Sequence, residues 1–182
     1  MKKKKIAFAI CGSFCNLGKA LIEMEKLSKK NDIIPIISFS VSKMNTRFGK
    51  ASEIRKKIES ICSKRVIDSI EEAEPIGPKN MADILIICPC TGNTLSKISN
   101  AITDTPVTMA TKSMLRINKP ILICFASNDG LGASAQNLAK LRNTKNFHFV
   151  PLAMDDKQNK PHSLVANFEK LEETLGAIKL RL

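Results

Sequence analysis

Short, uniformly apolar runs alternate along this chain with stretches whose apolar residues recur every three or four positions. Lys5–Cys11 (KIAFAIC) has no polar interruption after its lysine and predicts a strand buried on both faces. Leu17–Lys30 follows with Leu17, Ala20, Leu21, Met24 and Leu27 on one side, the period of an amphipathic helix. Ile33–Phe39 predicts a second strand, and Pro35 within it points to a sheet edge or a strand start. Ala51–Cys62 predicts a helix with Ile54, Ile58 and Ile61 on one face, and Val66–Ile70 a short strand, before Pro75, Gly77 and Pro78 break the chain. Asp83–Cys88 (DILIIC) and Pro120–Ala126 predict buried strands, with helices over Gly92–Ala101 and Val107–Ile117. Gly132–Arg142 predicts a helix, Phe147–Leu152 a strand, Asp155–Pro161 a polar loop and Leu164–Leu180 a closing helix.

Strands that alternate with helices predict a parallel sheet covered on both faces, a three-layer Rossmann-like or flavodoxin-like α/β fold. The length, 182 residues, suits one domain spanning 1–182. In such sheets ligands bind beyond the carboxyl ends of the strands. The segments to inspect are therefore Cys11–Phe14, Ser38–Ser40, Pro89–Thr94 and Ser127–Gly130. They are rich in Ser, Thr, Asn and Gly, and several immediately precede a helix. Small hydroxyls, amides and the free N–H groups of a helix start make an anion site, and the same residue types also serve as plain helix caps.

Composition narrows the classes. At 43% hydrophobic and 25% charged residues the chain is an ordinary globular one. No apolar run reaches the length of a membrane span, and Lys2–Lys5 with Ile6–Cys11 is too short a pair to act as a signal peptide, so a cytoplasmic protein without membrane attachment is expected. The net charge of +12 favours anionic ligands. With no Trp, no Tyr and no nucleic-acid motif, nucleic acid is not the expected partner. Cys11, Cys88, Cys90 and Cys124 fall near strand ends, but neither paired C-x-x-C motifs nor zinc-type spacing occurs, so they read as structural thiols and no metal is expected. Gly130-Leu131-Gly132-Ala133-Ser134-Ala135 fits a dinucleotide fingerprint, with Asp155 or Asp156 where a ribose-binding acid would stand; the competing reading is a Gly-rich turn opening a helix. His148 lies inside a predicted strand and His162 in the polar loop. Arg47, with Asn45 beside it, is the better substrate-binding candidate, because a guanidinium grips a carboxylate through two hydrogen bonds.

Pro89-Cys90-Thr91-Gly92-Asn93-Thr94 and the following Leu95–Asp104 resemble the P-x-x-x-N-T stretch of the FMN-binding flavoprotein family, which includes phosphopantothenoylcysteine decarboxylase, lantibiotic-type cysteine decarboxylases and flavin prenyltransferase. Gly12-Ser13 resembles its first phosphate-side loop, and Ser127-Asn128 with Asn137-Leu138 and Leu141 a later segment. The resemblance implies FMN held by Gly12, Ser13, Phe14, Ser38, Ser40, Thr91, Gly92, Asn93, Thr94, Ser127 and Asn128, and a homo-oligomer, a trimer or a multiple of one. Asn45–Gly49, Ile67–Ile70, Ala73–Lys79, Thr103–Val107, Asn128–Gly132, Arg142–Asn146, Asp155-Asp156 and Lys160-Pro161 resemble one branch of the family more narrowly. That branch implies one half of a two-component enzyme that forms pyridine-2,6-dicarboxylate during sporulation, the other component carrying NAD(P). The alternatives are a flavin-binding accessory protein without catalysis, or another decarboxylase-like enzyme. Decarboxylation fits poorly: the mid-chain histidine base is missing, and Met154–Lys157 stands where the decarboxylases carry a cysteine-containing loop. No catalytic residue is assigned.

Overall fold

The computed structural model describes residues 3–179; Lys2 of the basic run and Leu180, the end of the expected closing helix, lie outside them. The apolar runs form β1 (Lys5–Ile10), β2 (Asp32–Ile37), β3 (Ile84–Cys90) and β4 (Ile121–Ser127), paired in parallel in the order β2-β1-β3-β4. Their side chains alternate between two cores, which is why no residue within the runs needs to be polar. Ile6, Phe8 and Ile10 of β1, with Ile84 and Ile86 of β3, pack on one face against the helices α1 (Leu17–Ser28) and α3 (Ala51–Cys62). Ala7, Ala9, Leu85, Ile87, Ile123 and Phe125 meet α5 (Gly92–Ser99), α6 (Pro106–Arg116) and α7 (Ser134–Arg142) on the other. Fully buried side chains such as Phe8 and Phe125 each contribute about 1.5–3 kcal/mol through the apolar surface they remove from water.

Pro35 sits near the sheet edge in the one register it tolerates. Its carbonyl accepts from Ile67 N and Ile37 N donates to Ile67 O, so positions 35 and 37 face away from β1, where a missing N–H breaks no ladder bond. The expected strand at Val66–Ile70 is reduced to the single bridge at Ile67. Two short helices lie outside the elements the periodicity predicts: α2 (Phe39–Lys43), capped by Ser38, and α4 (Ile70–Ala73), capped by Ser69 and continued by a 3-10 turn over Glu74–Ile76. Neither spans enough turns to show a period.

The C-terminal third corrects the sequence reading. The expected strand at 147–152 breaks at Val150-Pro151 into β5 (Phe147–Phe149) and β6 (Leu152–Asp156). The segment expected as a polar loop is the tip of a hairpin, and β7 (Lys160–Ala166) returns antiparallel along β6. The closing helix is therefore confined to α8 (Leu171–Ala177). β4 pairs with β5 along Ile121–Ile123 and with β7 at Ala126-Ser127, so the parallel sheet gains an antiparallel hairpin and becomes a mixed sheet of seven strands. The hairpin tip is anchored by Asp156, whose carboxylate accepts from the Gln158 and Asn159 N–H groups and from the Asn159 amide.

Candidate functional site

Strand order reverses between β1 and β3, and in this architecture a crevice opens there beyond the strand ends. The chain builds a cleft of about 470 Å³ at that place. Gly12–Asn16 follow β1, Thr91–Asn93 follow β3, and Ala126–Asn128 close β4. Arg47 and Phe48 border it, at the tip of a turn closed by reciprocal Thr46–Gly49 hydrogen bonds, with Gly49 at φ 138°. Asp155 and Val165 reach in from the hairpin. A second cavity of about 360 Å³, lined by Lys4, Leu27, Lys30 and Glu172 among others, contains none of the expected site residues.

Nine of the expected residues line the cleft: Gly12, Ser13, Phe14, Arg47, Thr91, Gly92, Asn93, Ser127 and Asn128. Four do not, and three of these have a local structural role. Ser38 is buried and accepts from Val41 N at the start of α2, and Thr94 is buried with its N–H bonded to Thr91 Oγ1. Asn45 Oδ1 accepts from Ala51 N at the start of α3. Ser40 stands beside Gly12, its Cβ 3.1 Å from where a Gly12 side chain would begin. Cys15, Asn16, Phe48, Ala126 and Val165 also line the cleft without being candidates from the sequence, and Asp155, a candidate ribose ligand and part of the family resemblance, stands there as well.

The polar walls have a defined sense. Asn16 Nδ2 donates to Ser13 Oγ (3.0 Å), so the Ser13 hydroxyl can turn its own proton to Cys15 Sγ at 3.9 Å or to a ligand. Thr91 caps α5 and accepts from Thr94 N (3.2 Å). The first N–H groups of a helix have no intrahelical acceptor, and those at the start of α5 belong to the cleft residues Gly92 and Asn93. Ser127 Oγ donates to Asp129 Oδ1, and Ser134 Oγ donates to the same oxygen at 2.8 Å. These hydroxyls hold the Asp129 carboxyl below its usual range, Ser127 contributing most. With its proton committed to Asp129, Ser127 offers lone pairs to anything in the cleft. Gly92 is pressed against this cluster: a Cβ there would stand 2.7 Å from both serine hydroxyls.

The ionisable side chains lining the cleft, among the described residues, are Cys15, Arg47 and Asp155. Arg47 lies over the Phe48 ring, 4.9 Å from its centroid. Asp155 Oδ2 pairs with Lys160 Nζ at 2.9 Å, and that bond is the main reason the Lys160 ammonium is held above its usual range. The strand-end thiols are not part of this chemistry. Burial pushes Cys11 up to about 11, against smaller opposing effects of the Thr94 side chain and Thr91 backbone, and it raises Cys88 and Cys90 too. Among the described residues no three His, Cys, Asp or Glu gather as a metal-binding group. His148 is half-buried on β5, its imidazolium disfavoured by burial, and His162 is exposed on β7; neither lines the cleft. The fingerprint glycines have packing work: Gly130 lies so close to Leu164 of β7 that a Cβ would come within 2.6 Å, and Gly132 N turns back to Asp129 O. Among the described residues no helix is long and apolar enough to cross a membrane.

A doubly wound sheet with a hydroxyl-rich cleft at its switch point defines a class, and the family model for flavoproteins matches residues 1–179. The chain belongs to the flavoprotein family. Within it, the chain is similar to the B subunit of dipicolinate synthase from Bacillus subtilis (strain 168), with 42% identity over 176 residues, 96% of this chain and 88% of that protein. The crystal structure of the dipicolinate synthase B subunit from Bacillus halodurans superposes with a TM-score of 0.86 at 38% identity, covering 98% of this chain and 94% of the other. Burkholderia xenovorans DmrB, a cubic protein cage solved in complex with FMN, shares the fold at a TM-score of 0.70 and 17% identity, covering 96% and 94% of the two chains.

Proposed function

We propose that this chain is the flavin-bearing B subunit of a dipicolinate synthase, acting in the cytoplasm of a sporulating cell. The observation that carries the reading is the convergence of Gly12-Ser13, Thr91–Asn93, Ser127-Asn128 and Arg47 on one cleft at the switch point. Its donor set suits FMN. The α5 start and the Ser13 hydroxyl offer N–H and O–H donors to a phosphate, and Ser127 offers an acceptor to a ribityl hydroxyl or ring N–H. Phe14, Ala126 and Val165 supply apolar surface for the ring. Bound FMN supplies a two-electron acceptor. The substrate is a dihydrodipicolinate, which aromatises on losing two hydrogens, or a hydroxytetrahydrodipicolinate, which must lose water as well. Arg47 grips one of its carboxylates, and the +12 chain draws the dianion in. The A subunit of dipicolinate synthase, carrying NAD(P), is the partner, and the chain assembles as a trimer or a multiple of one.

The lack of a histidine among the lining residues favours a second reading, an accessory protein that binds flavin and leaves the chemistry to the A subunit. Two measurements separate the readings. The absorbance spectrum of the purified protein, with mass spectrometry of any released ligand, should give FMN. Dipicolinate formation should then appear with this chain and FMN alone; formation that needs the A subunit and is indifferent to FMN would refute the first reading.

A further inference from the structure

Aromatisation of a dihydropyridine dicarboxylate removes one proton as well as one hydride, so the cleft needs a group that accepts a proton. Three ionisable side chains line it. Arg47 already carries its proton and has no acceptor capacity. Cys15 is a thiol, and a thiol must lose its own proton before it can take another. Asp155 is a carboxylate, paired with Lys160 at 2.9 Å through one oxygen, Oδ2. Resting on the reading above, the geometry points to Asp155 as the catalytic base, the group that removes the ring proton.

The step balances. A carboxylate oxygen of Asp155 takes the proton from one ring carbon, and the freed electron pair becomes a ring double bond. FMN, when bound, would supply the two-electron acceptor for the hydride lost from the adjacent ring atom. The substrate then loses one proton and one hydride in all, and Asp155 becomes a carboxylic acid. The hairpin explains why this base is on β6: the tip is fixed by Asp156 and by the cross-strand Asp155–Lys160 pair, so the carboxylate is held beside the strand ends without a histidine. Lys160 also offsets the repulsion that an unpaired carboxylate would exert on a dianionic substrate.

A base in this position has an unusual signature, because the group that speeds the reaction also repels the ligand. In Asp155→Asn, single-turnover bleaching of the FMN-loaded protein by dihydrodipicolinate should slow by about a hundredfold or more, the usual contribution of a general base. Calorimetry should meanwhile show dipicolinate binding about three- to tenfold tighter, since a negative charge has left the cleft. Asp155→Glu should restore part of the rate, FMN affinity should stay at wild-type values in both variants, and the urea midpoint should shift only slightly, as the loss of one exposed ion pair allows. Bleaching by Asp155→Asn within about threefold of wild type, or weaker dipicolinate binding, would overturn the assignment while leaving the flavin reading intact. A wild-type protein that neither binds dipicolinate nor bleaches would overturn the reading and the assignment together.

Discussion

Gly92→Ala probes the most crowded polar contact of the cleft. The added methyl would stand 2.7 Å from the Ser127 and Ser134 hydroxyl oxygens and 3.2 Å from Asp129 Oδ1. The hydroxyls can rotate away only by releasing Asp129, to which both donate. A protected hydrogen bond to a charged group is worth about 1.5–3 kcal/mol. Asp129 is exposed, so solvent screening reduces each to about 0.5–1 kcal/mol. The two together come to about 1–2 kcal/mol, and the helix preference of alanine, small at a first helical position, leaves about 1 kcal/mol of net destabilisation. Tm should fall by about 2–4 °C in a chain of this size. Urea unfolding should show the same change repeated in a Ser127→Ala/Ser134→Ala background to be neutral or slightly stabilising, a coupling of about 1–2 kcal/mol. The coupling has a pH signature as well. Because the folded Asp129 carboxyl lies below its unfolded range, this stability is complete above about pH 4 and disappears as pH falls through the lower folded value. Equal effects of Gly92→Ala in both backgrounds would refute the contact.

Three further outcomes follow from other parts of the chain. Burial raises the Asp68 carboxyl, but hydrogen bonds from Ser42 and Arg55 lower it further, so Arg55→Ala should cost about 1 kcal/mol after screening, a loss seen in urea at neutral pH that shrinks as pH drops below about 4. Gly77→Ala would place a methyl 1.9 Å from the Ser113 backbone oxygen, on a loop whose N–H bonds Ser113 Oγ at 2.7 Å, and should destabilise by about 3 kcal/mol or more in the same assay. Cys15 is exposed and the other five cysteines are buried, so native alkylation followed by intact mass should add one adduct, slowed by FMN; rapid addition of several would contradict the packing.

Elements buried on both faces were legible because their residues obey one demand throughout. Ile84–Cys88 can only be a central strand, and Ile54 with Ile58 can only be the inner face of a helix. The hairpin was not legible because its burial is partial and edge-like: Leu152–Asp156 alternates between intermediate and exposed, and Pro161 with His162 reads as loop chemistry. Leu164 and Val165, which pair with β4, run directly into the apolar positions of α8, so a helical period absorbed them. The cleft shows the same division. Loops that follow buried strands could be located from the strands, which brought Gly12, Thr91 and Ser127 together on paper. Asp155 depended on a hairpin the sequence did not announce; Ser38, Thr94 and Asn45 have the residue types of a binding loop, but the Ser38 and Asn45 side chains accept from helix-start N–H groups and Thr94 is buried behind the Thr91 cap.

The central claim is that the strand-end cleft holds FMN, and titration of the ligand-free chain with FMN, followed by flavin fluorescence, tests it most directly. Saturable quenching at one flavin per chain, with micromolar or tighter affinity and a clear loss in Gly92→Ala, is the predicted result. Unquenched flavin at micromolar protein, or quenching that Gly92→Ala leaves untouched, would contradict it.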